Sequence, residues 1–128
     1  MNMILNVIDI ELSVCKVENY NGMNLDNQFV FTGVTDEEKS LVCPTSLVPA
    51  NTIERVDGWR AFRIEGVLDF SLIGILAKIS GCLADKGIGI FAISTFNTDY
   101  ILLKKENLDK AVKTLMKEGY SMNGYSNI

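Results

Sequence analysis

Hydrophobic and polar residues alternate along the first half of the chain, as expected for strands with one buried face. Residues 8–17 alternate throughout, and residues 28–34 (QFVFTGV) are rich in aromatic and β-branched side chains. A third apolar run, residues 40–43, stops at Pro44. Four asparagines and a glycine within residues 18–27 predict a loop between the first two runs. The first half therefore predicts the order strand, loop, strand, strand.

The second half contains two helical periods between strand-like runs. Residues 59–67 alternate as a strand does, and residues 88–96 form a continuous apolar run typical of a strand that is buried on both faces or central in the sheet. Residues 100–103 and 120–122 predict two further short strands. Apolar residues at steps of three and four predict two amphipathic helices, one marked by Leu72, Ile75, Leu76, Ile79 and Leu83 and one by Leu108, Ala111, Val112, Leu115 and Met116.

Short polar residues suit the helix starts. Asp69 or Ser71 is expected to cap the first helix and Asn107 the second, and Gly87 and Gly119 are expected to end them.

Strand, helix, strand, strand, helix, strand is the order of a split βαβ unit, a four-stranded antiparallel sheet with two helices on one face. The first half resembles the same plan with its first helix reduced to a loop, and residues 44–57 predict only coil or a single helical turn. The expected fold class is α+β, with two tandem ferredoxin-like βαββαβ modules. Residues 1–57 would form a degenerate first module that lacks most of its first helix, and residues 58–128 the second.

Composition excludes several kinds of function. The chain has 128 residues, of which 48% are hydrophobic, and a net charge of −4, which argues against a nucleic-acid partner. The absence of histidine excludes a Ser-His-Asp triad, a Cys-His dyad and any histidine-containing metal site, so no metal or cofactor is expected. Three widely spaced cysteines are typical of free core thiols in a reducing compartment. Without a signal sequence or an apolar stretch of membrane-spanning length, the expectation is a cytoplasmic protein with no membrane partner.

Two motifs that resemble catalytic or cofactor sites are better explained structurally. Gly87, Gly89 and Ala92 fit the dinucleotide pattern G-x-G-x-x-A, but they follow a helix and open a strand, the reverse of the context that a pyrophosphate needs. The carboxylates of residues 36–38 lie in a turn and are explained as a solvated charge run. No nucleophile lies beside a base, so the protein is not expected to be an enzyme.

Two other segments are candidates for ligand binding. Residues 66–76 join a strand to a helix, where free N–H groups attract a carboxylate, although an N-cap with tight packing around Gly74 would explain the same residues. Residues 93–100 bring six hydrogen-bonding side chains to a strand end, and Asp99 is suited to bind an ammonium or guanidinium group. A polar β-turn is the alternative. If the two segments meet, they offer both charges that a zwitterionic amino acid requires.

These residues resemble the ACT domains, amino-acid-binding regulatory modules. Residues 74–79 (GILAKI) are similar to the G-x-L-A-x-I helix start of the family, and residues 58–60, 68–77 and 92–100 resemble the small paired-ACT proteins of bacteria. Those proteins are related to the cytosolic arginine sensors of animals and to the regulatory region of aspartate kinases, and residues 34–44 support the likeness. The resemblance implies a ligand site at the module interface, carried over by position to Ser71, Leu72, Ile73, Gly74, Thr95, Phe96, Thr98 and Asp99, with Ser40 and Leu41 from the first module. The chain departs from the common pattern because Ser71 and Ile73 stand where the family places Asp and Pro.

The expected function is therefore that of a non-catalytic regulatory protein that senses a small amino acid, forms a homodimer and passes the signal to a regulated protein partner. Two alternatives remain open. One is a structural oligomerisation module without a ligand. The other is a small hydrolase of ferredoxin-like fold, which would need a cationic phosphate cradle, whereas Arg60 and Arg63 are predicted on opposite faces of one strand.

Overall fold

The computed structural model describes residues 3–65 and 74–125, so the predicted cap residues Asp69 and Ser71 lie outside the described residues. Within this part the chain forms seven strands, two α-helices and two short 3-10 turns. The strands are β1 (Ile4–Val17), β2 (Phe31–Val34), β3 (Lys39–Pro44), β4 (Thr52–Ile64), β5 (Phe91–Ser94), β6 (Asp99–Lys104) and β7 (Ser121–Asn123). The helices are α1 (Ile75–Ala84) and α2 (Leu108–Lys117), and the 3-10 turns are Thr45–Leu47 and Lys105–Asn107. No helix in the described ranges is long and apolar enough to cross a membrane.

The chain divides into two compact units. Unit 1 comprises Met1–Asp9 and Arg60–Ile128, and unit 2 comprises Ile10–Trp59. The compact units differ from the predicted modules at two places, because residues 1–9 belong with the second half of the chain and residues 58 and 59 belong to unit 2. The two longest strands, β1 and β4, each contribute one part to unit 1 and another to unit 2.

Unit 1 is a five-stranded sheet with both helices on one face. Its strand order is β7-β1-β4-β6-β5, and β7 runs parallel to β1 with Leu5 opposite Met122. The split βαβ plan is therefore present, with the first segment of β1 inserted between β7 and β4. The core joins alternate strand residues to both helices: Leu5, Val7, Phe62, Ile64, Ile101 and Leu103 from the strands, Ile79 and Leu83 from α1, and Leu108, Ala111, Val112 and Leu115 from α2. Burial of these side chains is the main stabilising term of the unit.

Two predictions for unit 1 are wrong. The apolar run 88–96 does not form a central strand, because only Phe91–Ser94 are in β5 and this strand lies at the end of the order, with alternating half-buried and exposed residues. Asn107 does not cap α2 through its side chain. Its backbone is already helical, since a 3-10 turn leads directly into α2.

Unit 2 contains strands and a loop where unit 1 has helices. Its strand order is β2-β3-β1-β4, and every residue of this unit is described. The loop between β1 and β2 places Tyr20 against the small core of Cys15, Val17, Leu41 and Cys43. The Tyr20 hydroxyl donates to the carbonyl oxygen of Ser40 at 2.7 Å. A strand also begins at Thr52, within the stretch for which coil or a single helical turn was predicted.

Burial of the unit 2 thiols makes stability depend on alkaline pH. Burial, and then the neighbouring Cys15, raise the pKa of Cys43 from 9.0 to about 11. Between these values the unfolded chain loses the Cys43 proton while the folded chain keeps it, so the free energy of unfolding should fall as pH rises from about 9 towards 11. Urea unfolding at a series of pH values should show a smaller fall for Cys43→Ala than for the parent or for Cys82→Ala. Equal slopes for all three proteins would contradict the assignment.

Candidate functional site

The turn between β5 and β6 in unit 1 is held in one conformation by its two threonines. The backbone N–H of Thr95 donates to the carbonyl oxygen of Thr98 at 2.8 Å, and the Thr95 hydroxyl donates to the same oxygen at 2.9 Å. The Thr98 N–H in turn donates to the Thr95 hydroxyl oxygen at 3.4 Å. Thr95 therefore acts within the turn, which it stabilises as threonine hydroxyls commonly do.

Thr98 attaches this turn to the sheet. It is one of the buried polar residues, and its hydroxyl donates to the carbonyl oxygen of Ile64, the last residue of β4, at 2.7 Å. The hydroxyl is thus already bonded to backbone. This bond positions the turn, and the prediction that Thr98 lines a ligand site stays a prediction.

Asp99 is half-buried at the start of β6, directly opposite Ser94 of β5. The Ser94 hydroxyl donates to Asp99 Oδ1 at 2.6 Å. Because side chains two apart on a strand share a face, Asp99 lies on the same face as Ile101 and Leu103, the face against which the helices pack. Among the described residues Asp99 has no ion pair with a cation, so one carboxylate oxygen and its charge are available to a ligand.

Phe96 lies at the tip of the same turn and is 84% exposed. An exposed aromatic ring three residues before Asp99 in the chain offers an apolar surface for a ligand side chain, and a cation near such a ring gains additional attraction. Phe96 was predicted as a site residue, and its exposure leaves it accessible.

The backbone conformation of Gly74 accounts for the glycine at this position. Gly74 immediately precedes α1 with φ 84°, in the left-handed region that favours glycine, and no side chain caps the helix there. Gly74 thus lies at the N-cap position, just outside the helical turns of α1. The neighbouring predicted residues Ser71, Leu72 and Ile73 lie outside the described residues.

Ser40 and Leu41 are in β3 of unit 2. The Leu41 side chain is fully buried in that unit's core, and the Ser40 carbonyl oxygen accepts the Tyr20 hydroxyl. Their contribution to a ligand site stays a prediction.

A polar cluster on unit 1 was not predicted. Arg63 Nε donates to Glu65 Oε1 at 3.1 Å, and Arg63 Nη1 donates to the Tyr100 hydroxyl at 3.2 Å. These hydrogen bonds, first that to Tyr100 and then that to Glu65, raise the pKa of Arg63. The cluster borders an open depression of about 380 Å³ that also includes Thr95 and Asn97. The alternation of β4 places Arg63 and Glu65 on one face, so the sequence could have predicted this pair. The contact with Tyr100 could not be predicted, because it depends on how β4 and β6 are aligned in the sheet.

The hairpin that carries Asp99 has a counterpart in unit 2. β2, β3 and the 3-10 turn after them repeat β5, β6 and the turn Lys105–Asn107 element for element, each residue matching one 60 positions later. The pairing registers agree, as Val34 opposite Lys39 matches Ser94 opposite Asp99. The turn bonds also agree, because the Thr35 N–H donates to the Glu38 carbonyl oxygen at 3.0 Å. The carboxylate at Asp99 is thus replaced by the cation of Lys39 in the second hairpin.

The fold and this hairpin together define a class of protein. Unit 1 is an α+β, ferredoxin-like sheet with two helices on one face, and its polar strand end carries the Asp99 carboxylate. Residues 54–117 match the ACT domain family, so the chain belongs to the ACT domain family.

Known relatives agree with this assignment. Over 85 residues the chain is 33% identical to the cytosolic arginine sensor for mTORC1 subunit 1 of Homo sapiens, an overlap of 66% of this chain and 25% of the sensor. The chain thus spans about a quarter of the length of the curated relatives it matches. The crystal structure of protein Atu0741 from Agobacterium tumefaciens is similar with a TM-score of 0.85 and 25% identity, covering 99% of this chain and 96% of that one. The regulatory subunit of aspartate kinase from Thermus thermophilus shares the fold, with a TM-score of 0.57, 13% identity and coverage of 87% and 95%.

Proposed function

We propose that the protein is a non-catalytic ACT-type regulator that binds a small amino acid at the end of the unit 1 sheet where Asp99 lies. The observation that carries this proposal is the Asp99 carboxylate, which is held by Ser94 and has no cation partner among the described residues. Thr98 bonds to Ile64, the last residue of β4, and the chain leaves β4 there towards α1. Asp99 and the last residue of β4 therefore lie at the same end of the sheet.

In this proposal each charged end of the amino acid is bound by a separate group of the protein. Asp99 supplies the anion for an ammonium or guanidinium group. The first N–H groups of α1 have no side-chain cap and would receive the ligand carboxylate, together with backbone groups of Ser71, Leu72 and Ile73. The arginine-sensor relatives, by their names, favour a cationic amino acid, and Phe96 would contact its side chain.

We further propose that the two units are tandem modules and that the chain binds one ligand. The repeated hairpin supports the duplication. In unit 2 the position of Asp99 is taken by Lys39, and Tyr20 bonds to the hairpin backbone. Both changes disfavour a second cation-binding site. Binding would regulate a protein partner if the ligand has a higher affinity for one arrangement of the modules than for another.

The hydrolase alternative has no free arginine with which to form a cationic cradle. Each arginine already has an internal partner: Arg55 pairs with Asp57, Arg60 donates to the Ile8 carbonyl oxygen, and Arg63 bonds to Glu65 and Tyr100. A phosphate would have to displace these contacts.

A screen of the twenty amino acids by thermal shift, followed by calorimetry on the hits, tests the function. We expect at least one amino acid, most favourably a basic one, to raise Tm. Calorimetry should give a stoichiometry of one ligand per chain. A ligand present at 100 times its Kd stabilises by about 2.7 kcal/mol, which such an assay resolves. If no amino acid at millimolar concentration changes Tm or releases heat, the proposed function is wrong.

A further inference from the structure

The hydroxyl of Tyr20 contacts the backbone of one residue pair in the unit 2 hairpin. It donates to the Ser40 carbonyl oxygen at 2.7 Å and to the Gly33 carbonyl oxygen at 3.3 Å. Gly33 and Ser40 lie directly opposite each other in the pairing of β2 with β3. A carbonyl oxygen has two acceptor sites, so one that bonds within a sheet can still accept a second donor. This residue pair therefore accepts a donor from outside the sheet.

Tyr20 approaches the pair from the face of the sheet that carries the unit 2 core. It packs against three buried residues of that face, Cys15, Leu41 and Cys43. Lys39 lies on the same face, because it is two residues before Leu41 on β3. Asp99 is the counterpart of Lys39 in the unit 1 hairpin. The position of the Tyr20 hydroxyl in unit 2 thus corresponds to the surface beside Asp99 in unit 1.

In unit 1 the matching residue pair is Ile93 opposite Tyr100. The side chains of β5 that border this pair on the Asp99 face are Ala92 and Ser94, and both are exposed. The surface on either side of the pair is therefore open to solvent. The chain after β4 leads to α1 here, whereas the chain after β1 forms the loop that carries Tyr20.

We infer that the Tyr20 hydroxyl occupies, in unit 2, the place that a donor group of the ligand occupies in unit 1. The carbonyl oxygens of Ile93 and Tyr100 then bind the cationic group of the amino acid, together with the Asp99 carboxylate. This inference rests on the proposed function and adds two backbone acceptors to its site. In unit 2 the cation of Lys39 disfavours a charged donor, and the neutral hydroxyl of Tyr20 takes its place.

The three acceptors select the side-chain cation of a basic amino acid. Two carbonyl oxygens and a carboxylate require a positive group with several N–H donors, which guanidinium and ammonium groups provide. The α-ammonium group is less suitable, because the carboxylate on the same carbon would lie close to Asp99 and repel it. A terminal cation keeps the two carboxylates apart by the length of the ligand side chain.

Calorimetry with L-arginine and L-lysine as probes tests these acceptors. Ala92→Leu places a larger side chain beside the Ile93–Tyr100 pair, so we expect a Kd roughly tenfold higher for a probe that binds the parent. Thr32→Leu is the matched control, since Thr32 is the exposed counterpart of Ala92 in unit 2, and its Kd should equal that of the parent. Equal Kd values for Ala92→Leu and the parent, or an equal loss in both variants, would overturn the inference.

A double variant tests the equivalence of the two positions. Tyr20→Ala with Lys39→Asp removes the internal donor and introduces the carboxylate, so this protein should bind two probe molecules per chain. Lys39→Asp alone keeps Tyr20 in place and should bind one. A folded double variant that still binds one probe molecule would contradict the equivalence.

Tyr20→Phe tests the hydroxyl contact without removing the ring. It leaves the two carbonyl oxygens without their donor, so its urea midpoint should be lower than that of the parent. An unchanged midpoint would show that the hydroxyl does not bind this residue pair, and the inference would be wrong.

The inference and the proposed function fail on different results. If neither arginine nor lysine binds the parent while another amino acid raises Tm, the assigned acceptors are wrong and the proposed function stands. If none of the twenty amino acids binds, the proposed function itself is wrong.

Discussion

Replacing Asp99 by asparagine should abolish or strongly weaken amino-acid binding while leaving the fold intact. The carboxamide oxygen can still accept the Ser94 hydroxyl, so the hairpin keeps its internal bond. What is lost is the negative charge that binds the ligand cation. A hydrogen bond to a charged group contributes roughly 1.5–3 kcal/mol, which corresponds to at least about a tenfold increase in Kd measured by calorimetry.

Asp36→Asn is the matched control for this result. Asp36 is an exposed carboxylate in the corresponding turn of the unit 2 hairpin, so the substitution removes the same charge outside the proposed site. Its Kd should equal that of the parent. If Asp36→Asn and Asp99→Asn weaken binding equally, only net charge matters and the site assignment is wrong.

Truncating Phe62 to alanine should cause the largest loss of stability. Phe62 is 0% exposed in the core of unit 1, between strand residues and the helices. Removing a buried phenylalanine side chain costs about 3–5 kcal/mol because contacts are lost and a cavity remains. Since a domain is stable by only about 5–15 kcal/mol, urea unfolding should show a greatly reduced midpoint.

Phe96→Ala makes the same change at the exposed turn. With 84% of Phe96 in contact with solvent, its free energy of unfolding should change by less than about 0.5 kcal/mol. Calorimetry should nevertheless show a higher Kd, because the ring is expected to contact the ligand. A Phe96→Ala variant as unstable as Phe62→Ala would show that Phe96 packs into the protein, and unchanged affinity would remove it from the site.

The local pattern of hydrophobic residues was enough to predict most of the helices and strands of unit 1. The apolar steps of three and four in α1 and α2 predict both helices, since amphipathic helices reveal their buried face through spacing alone. The same reasoning failed for β5. Continuous apolar residues occur both in central strands and near an edge packed on one side, and only the strand order distinguishes the two.

The part of the candidate site that lies within one short segment could be predicted from the sequence. Asp99, Phe96 and the turn threonines are neighbours in the chain, so the amino-acid sequence itself displays their combination. The Arg63, Glu65 and Tyr100 cluster was missed because Tyr100 joins it through the pairing of β4 with β6. The internal bonding of Thr98 was missed for the same reason, as its acceptor is Ile64, 34 residues away.

By itself the sequence determined the succession of strands and helices, the absence of histidine chemistry and the carboxylate at the end of a polar turn, because these depend on composition and on residues close along the chain. Only the tertiary structure decided that the first part of β1 lies between β7 and β4, that Lys39 occupies the place of Asp99 in a repeated hairpin, and that β4 has an exposed segment. Each of these features depends on which strands, distant in the sequence, pair with each other. The free energy that favours one pairing over another comes from many residues, so no single segment of the sequence reveals it.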